Sequence, residues 1–219
     1  MEIIEVNNLE KDIDGCYNDL LSSKKQFKFI KYNGKYYAIT KEKSIIPIDD
    51  ADKFLNSFKD DIYYKTILLN ETPYINEGDL NLYYSYIEKY KEVLTAKKYN
   101  DKYYFGCVAI KTDNGFITTI RGKEDLNDFT IVKSVDHDKH IIYVYNKKAT
   151  LNAPLIDYLF KNANVKAMVH LHEMKDNNLP ILEYAIPGTV RDSKRRIRTS
   201  FNIKYHGAVY LFDKKGNIL

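Results

Sequence analysis

Tryptophan is missing from this sequence, cysteine occurs twice, and no apolar run approaches the roughly 20 residues that a membrane-spanning helix needs. Each shortage removes a class of protein. Cys16 and Cys107 lie too far apart in sequence to suggest a disulfide framework or a cysteine-based zinc cluster. The absence of a long apolar run leaves no expected membrane partner. The start "MEIIEVNNLEKDIDG" has neither the basic opening nor the apolar core of a signal peptide, so a reducing, cytoplasmic setting is expected. Internal repeats and low-complexity linkers are absent too. The net charge of +4 is mild and gives no electrostatic case for a nucleic-acid partner over the chain as a whole.

What the sequence does hold is core material. Hydrophobic residues make up 44% of the 219, enough for one large domain with a sizeable extension. The 20 tyrosines accompany an abundance of Lys, Asn and Ile that fits an AT-rich coding bias, so as a group they carry no functional reading. Basic charge is concentrated once, in "RDSKRRIR" at 191–198, where five of eight residues are Lys or Arg. A solvated helix face accounts for that run better than phosphate or nucleic-acid contact.

Periodicity divides the chain. "FKFIKYNGKYYAIT" is two alternating runs around Asn33-Gly34, which predicts a hairpin with a type I′ turn. "DADKFLNSFKD" predicts a short helix capped by Asp50, with Phe54, Leu55 and Phe58 at helical spacing. Pro73 and Gly78 break "NETPYINEGD". From Asp79 the spacing of Leu80, Tyr83, Tyr84, Ile87 and Leu94 predicts a longer helix. Beyond about residue 100 come the short β-rich runs "YYFGCVAIK", "GFITTI", "FTIVKSVD" and "HIIYVYN". A helical "APLIDYLFKNA", the strand "AMVHLH", an apolar "LPILEYAIP" and a closing strand "IKYHGAVYLFD" follow. Strands interleaved with helices predict an α/β layer structure with a mixed β-sheet covered by helices. The expected division is an N-terminal α+β extension over residues 1–76 and a second domain over 77–219.

Three of the five histidines are the main chemical signal. On a strand, His170 and His172 face the same way while Leu171 turns to the other side. His206 follows in "KYHGAVYLF", within a strand pattern and just before a glycine. Neutral imidazoles suit zinc, and three protein ligands leave a fourth position for water or substrate. Spacing alone leaves three ordinary histidines as an equal alternative.

Order and context add to this. From Gly106 onward, "FGCVAIKTDNGFITTIRGKEDL", "FTIVKSVD", "KATLNAPLIDYLFKNANVKAMVHLH", "LPILEYAIPGT" and "YHGAVYLFD" follow one another. Together they resemble the class II aldolase/adducin family, over about half the chain. That resemblance implies an α/β/α fold and a zinc ion, or another divalent metal, held by His170, His172 and His206. It also implies a small phosphorylated keto sugar whose enediolate the metal stabilises, and a homo-oligomer. Substrate phosphate would lie at the "TTIRG" turn, on Thr119, Arg121 and Gly122, with Thr150 and Asn152 at the start of the following helix. Thr119 and Thr150 also read as ordinary turn or capping residues, and Arg121 as a surface charge.

Departures from the family pattern are plain. "TLNAP" offers no carboxylate at the helix start, where the family keeps its acid/base, and Cys107 stands where the family has an asparagine. The gap from His172 to His206 is short, and 13 residues follow His206, without the family's C-terminal helices. Glu183, in "LPILEYAIPG", is the nearest replacement base, in a segment expected to return towards the metal; an outward position on an amphipathic surface is its competing reading. Tyr184 is the next choice. The alternatives to a lyase or epimerase are a non-catalytic domain of the same fold with a binding role, a cupin-like barrel, and nucleic-acid binding through "KRRIR". The barrel fails on the position of its carboxylate, Glu173 or Asp176, and on the "APLIDYLFKNA" helix.

Overall fold

The computed structural model describes residues 2–71, 73–99, 101–173, 177–195 and 197–219. Asp176 and Arg196 lie outside the described residues. Two compact units are formed, one from residues 1–61 with 99–101, the other from 62–98 with 102–219.

In the first unit, β1 (Ile3–Glu5), α1 (Leu9–Leu21), β2 (Phe27–Tyr32), β3 (Lys35–Thr40), β4 (Ile45–Ile48) and α2 (Ala51–Asn56) build a four-stranded sheet with two helices. The sheet order is β1-β2-β3-β4, with β1 parallel to β2 and the rest antiparallel. The hairpin turns at Asn33 (φ 48°) and Gly34 (φ 74°), the two positive values a type I′ turn needs. Asp50 caps α2 by accepting from Lys53 N at 2.7 Å. The α2 residue Phe54 and the following Phe58 each place a ring 5.1 Å from Phe27.

The second unit carries β5 (Lys65–Leu69), α3 (Glu77–Thr95), the two-residue strands β6 (Lys98–Tyr99, its last residue in the first unit) and β7 (Tyr103–Tyr104), β8 (Cys107–Thr112), β9 (Gly115–Thr119), β10 (Phe129–Asp136) and β11 (Ile141–Tyr145). It continues with α4 (Ala153–Phe160), β12 (Ala167–Leu171), β13 (Ile181–Leu182), α5 (Val190–Ser193), β14 (Phe201–Ile203) and β15 (Gly207–Phe212). Nine strands form one mixed sheet in the order β13-β14-β15-β12-β8-β9-β10-β11-β5. Only the outermost pairs, β13 with β14 and β11 with β5, are parallel. The sheet is open, with β13 and β5 at its edges, so no cupin-like barrel forms among the described residues. Residues 62–76, expected with the N-terminal extension, fall in the second unit because β5 pairs with β11 along its whole length.

Strand alternation sorts the core onto two faces. Cys107, Ala109, Phe116, Val132, Met168, Val209 and Leu211 pack with α4 through Leu155, Ile156, Leu159 and Phe160. Val108, Ile110, Ile117, Ile131, Val169 and Leu171 pack with α3 through Tyr83, Ile87 and Leu94. Each fully buried aliphatic side chain contributes about 1.5–3 kcal/mol. His170, between Val169 and Leu171, therefore belongs to the α4 face. Among the described residues no helix is long and apolar enough to cross a membrane.

Local differences from the sequence reading have simple causes. Helix α3 starts at Glu77, because Asn76 Oδ1 accepts from Gly78 N at 2.8 Å and Gly78 enters the first turn instead of breaking it. Tyr86, not Tyr84, completes its buried stripe. "IKYHGAVYLFD" is two antiparallel strands, reversed by Tyr205 (φ 60°) and a His206 N to Ile203 O bond of 3.0 Å. The "RDSKRRIR" run is no simple solvated face: α5 has four residues, and Arg195 is buried, donating from Nε to Asp192 Oδ1 at 2.9 Å and from Nη1 to Glu183 O at 2.8 Å.

Candidate metal centre

Two segments deliver the three histidines. His170 sits near the end of β12, paired with Cys107 on one side and Val209 on the other. His172 comes just past the strand's last residue, and His206 occupies the turn from β14 into β15. The turn can approach because Gly207 has no side chain: a Cβ there would lie 2.0 Å from the Leu171 carbonyl oxygen. That is a steric reason for the His-Gly pair. Ring centroids are 4.8 Å apart for His170–His172, 5.0 Å for His170–His206 and 4.4 Å for His172–His206. One ligand atom from each lies within 4.8 Å of the others.

Protonation favours ligation. His170 and His206 are buried and His172 half-buried. Burial pushes the His170 ring down to about 4, a shift partly opposed by its bond to the Ala208 carbonyl, with Lys123 and Arg195 adding to it. Burial and then the neighbouring histidines hold His172 and His206 well below the ordinary range. His170 Nδ1 lies 3.0 Å from Ala208 O, and a carbonyl only accepts, so Nδ1 carries the proton and Nε2 presents its lone pair. His170 Nε2 and His206 Nε2 stand 3.1 Å apart. Two ligands on tetrahedral zinc, with bonds of about 2.0–2.1 Å, would sit about 3.3 Å apart. The donor set and its spacing fit such an ion. Cys107, whose thiol burial pushes up, is not among the ligand atoms that converge there.

The other sequence-predicted residues divide. An Ile120–Ala149 bridge, the Thr150 N to Thr119 O bond (3.2 Å) and the Arg121 N to Lys148 O bond (2.9 Å) bring the "TTIRG" turn beside the start of α4. Thr119, Arg121 and Thr150 are thus brought together. Thr119 Oγ1 is buried with no hydrogen-bond partner among the described residues. Gly122 has φ +67° and lies beside Tyr103. Asn152 starts α4 without capping it; its Nδ2 points at Cys107 Sγ, 3.6 Å away, on the strand next to His170.

Glu183 is not brought to the histidines. Its side chain is 83% exposed and its Oε1 pairs with Lys204 Nζ at 3.3 Å. Successive residues of an extended segment face opposite ways, and the neighbour, Tyr184, is the one that meets His206, edge-on at 5.8 Å. Sequence reasoning missed Phe105, whose ring stacks on His172 at 4.7 Å and 19°, Lys97, which donates to His172 O at 3.1 Å, and Lys123. None carries a local signal, since each acts on a segment remote from it in the chain. A cavity of about 230 Å³ opens between Lys97, Phe105, His172 and Glu173. A larger one, about 550 Å³, lies beside Asn76, Asp79, Lys133 and Tyr145 and has no histidine in its described lining.

No protein-family model and no curated protein matches the chain. Among solved structures it is similar to an L-fuculose 1-phosphate aldolase, at 13% identity over 63% of this chain and 76% of the other, TM-score 0.44. An L-fuculose-1-phosphate aldolase from Thermus thermophilus aligns at 14% identity over 62% and 80%, TM-score 0.44. YgbL from Escherichia coli, described as a candidate aldolase/epimerase/decarboxylase, aligns at 17% over 62% and 76%, TM-score 0.43.

Proposed function

We propose that the chain is a zinc-dependent lyase or epimerase acting on a small phosphorylated keto sugar, or a related compound, through an enediolate. The observation that carries the reading is the convergence of three neutral imidazoles, one with its tautomer fixed by the Ala208 carbonyl. The motif order that resembles the class II aldolase/adducin family supports the substrate class. His170, His172 and His206 would hold the ion, which when bound supplies Lewis-acid polarisation of a carbonyl and charge stabilisation for the enediolate oxygens. Thr119, with its orphaned buried hydroxyl, would bind phosphate oxygens together with Thr150, the backbone at Gly122 and the Arg121 guanidinium. Asn152 would orient substrate by hydrogen bonding; as an amide it moves no proton. Tyr184, whose ring meets His206, would hold or deliver a proton at its phenol oxygen. A homo-oligomer, in which a neighbouring copy completes the site, follows from the same resemblance.

The test is elemental analysis of purified protein followed by a screen of phosphorylated keto sugars, with and without a chelator. Stoichiometric zinc and chelator-sensitive turnover are expected. A protein that neither holds zinc nor turns over any of them would end this reading. A second reading has its own support: an amide at Asn152 and a solvent-facing Glu183 leave no carboxylate from the expected positions at the histidines. A non-catalytic domain of this fold, with a binding or structural role, would hold zinc and show no turnover.

A further inference from the structure

His172 differs from its two companions in what holds it. His170 is tied by a ladder on both sides and by its Nδ1–H bond to Ala208. His172 lies beyond the strand, and among the described residues no hydrogen bond reaches its ring; it meets Phe105 face to face. The segment bearing Phe105 is short and turns sharply. Gly106 has φ +72°, and a Cβ there would lie 2.5 Å from the His170 carbonyl oxygen and 2.8 Å from Leu94 Cδ2. So Phe105 is carried past the metal centre on backbone packed directly against it.

Lys123 grips that backbone. Its Nζ donates to Tyr104 O at 2.9 Å and to Gly106 O at 2.6 Å, the carbonyls on either side of Phe105. Tyr104 N donates in return to Lys123 O at 2.9 Å. Lys123 is 3% exposed, and no carboxylate shares its ammonium among the described residues. Burial pushes it down to about 8. A lysine kept in so dry a place is costly, and charged donors to carbonyls are the compensation it has. Its contacts are to backbone, so nothing here makes it a catalytic residue.

We propose that Lys123 is a positioning residue for the metal centre: by clamping the carbonyls of Tyr104 and Gly106 it fixes the Phe105 ring, and through it the orientation of His172. This rests on the metal-centre reading above for its purpose, though the clamp itself can be measured without metal. An aromatic ring stacked on an imidazole shifts the imidazole protons upfield. In metal-free protein with isotope-labelled histidine, Lys123→Met and Phe105→Leu should each move the His172 ring resonances towards ordinary positions and leave those of His137 in place. Zinc affinity, measured by competition with a chromophoric chelator, should fall by roughly ten- to a hundredfold in both variants, the usual cost of losing a group that orients a ligand. The visible spectrum of the cobalt-substituted protein should change with it.

An unshifted His172 in Lys123→Met overturns the proposal, whatever the zinc data show. Should Lys123→Met not fold, Lys123→Gln, which keeps a donor but loses reach and charge, is read in the same way. Wild type that binds no zinc, yet loses the His172 shift in these variants, would remove the metal reading and leave the clamp standing.

Discussion

His170, His172 and His206 lie on one side of a contrast, and His137, with His140 close by, on the other. In the first group, burial, the neighbouring imidazoles and the cations Lys123 and Arg195 act against protonation. In the second, His137 Nε2 stands 2.8 Å from Asp157 Oδ2 and its Nδ1 2.7 Å from the Tyr64 hydroxyl, which also reaches Ser193 Oγ at 3.2 Å. His140 adds an edge contact to Tyr64 at 5.5 Å. One residue type thus serves two ends. With no carboxylate bonded to its ring among the described residues, imidazole keeps a lone pair of the kind a metal takes; given a carboxylate and a phenol, it becomes the centre of a hydrogen-bond chain that fastens loop to helix.

The sharpest way to break the contrast is to remove a histidine from each side. His206→Ala should abolish stoichiometric zinc, a loss beyond the ten- to hundredfold expected of outlying residues, while the metal-free fold persists. His137→Ala should leave zinc content unchanged. Elemental analysis of both variants decides; zinc retained at full occupancy in His206→Ala would dissolve the distinction.

A second test uses pH and the buried cation beside the triad. Lys123 has its ordinary 10.5 lowered to about 8 in the folded chain. Between those values the unfolded chain binds a proton that the native chain has released, so stability rises with pH across this window. The stabilisation is fully present above 10.5 and is lost as pH falls through about 8, a difference on the order of 3 kcal/mol. Urea unfolding of wild type and Lys123→Met at pH 7.5 and pH 10 should show it. The difference between the two proteins should change by a few kcal/mol in favour of wild type at the higher pH. The tyrosines with raised values, such as Tyr86, are common to both and cancel.

On the other side of the contrast the effects are mechanical. His137→Ala removes two hydrogen bonds and leaves Asp157 without this partner. A loss of about 1–3 kcal/mol is expected, read as a lower urea midpoint at unchanged slope. An unchanged midpoint would mean the chain Asp157–His137–Tyr64–Ser193 is incidental.

Much of this was legible in the residues, and the reasons are physical. A period of two forces His170 and His172 to one face and Leu171 to the other, so the pair could be read from spacing. Asn33-Gly34 and Asp50 announce their turn and cap because few residues tolerate positive φ or accept from a free N–H. The sequence could not say that Gly207 is needed because the Leu171 carbonyl lies where its Cβ would be, nor that Lys123 reaches back to the backbone around Phe105. Those are contacts between segments far apart in the chain, and no local period encodes them. The side on which Glu183 falls was also undecidable. Strand β13 has two residues and ends just before it, so no register extends to fix which of Glu183 and Tyr184 faces inward.

That last pair gives the smallest expected effect and separates the two edges of the site. Glu183 makes an exposed ion pair with Lys204, whose own side chain is 41% exposed. Pairs of this kind contribute about 0–1 kcal/mol, and Gln keeps the volume and a hydrogen-bonding group. Glu183→Gln should therefore leave stability within about 0.5 kcal/mol, zinc at wild-type occupancy and any turnover essentially unchanged. Tyr184→Phe removes one oxygen from a ring that meets His206, and should keep zinc while lowering turnover by about 10²–10⁴-fold if its phenol moves the proton. Parallel assays on the substrate found in the screen compare the two directly. A large loss in Glu183→Gln with none in Tyr184→Phe would mean that the segment rearranges when substrate binds and that the carboxylate turns inward.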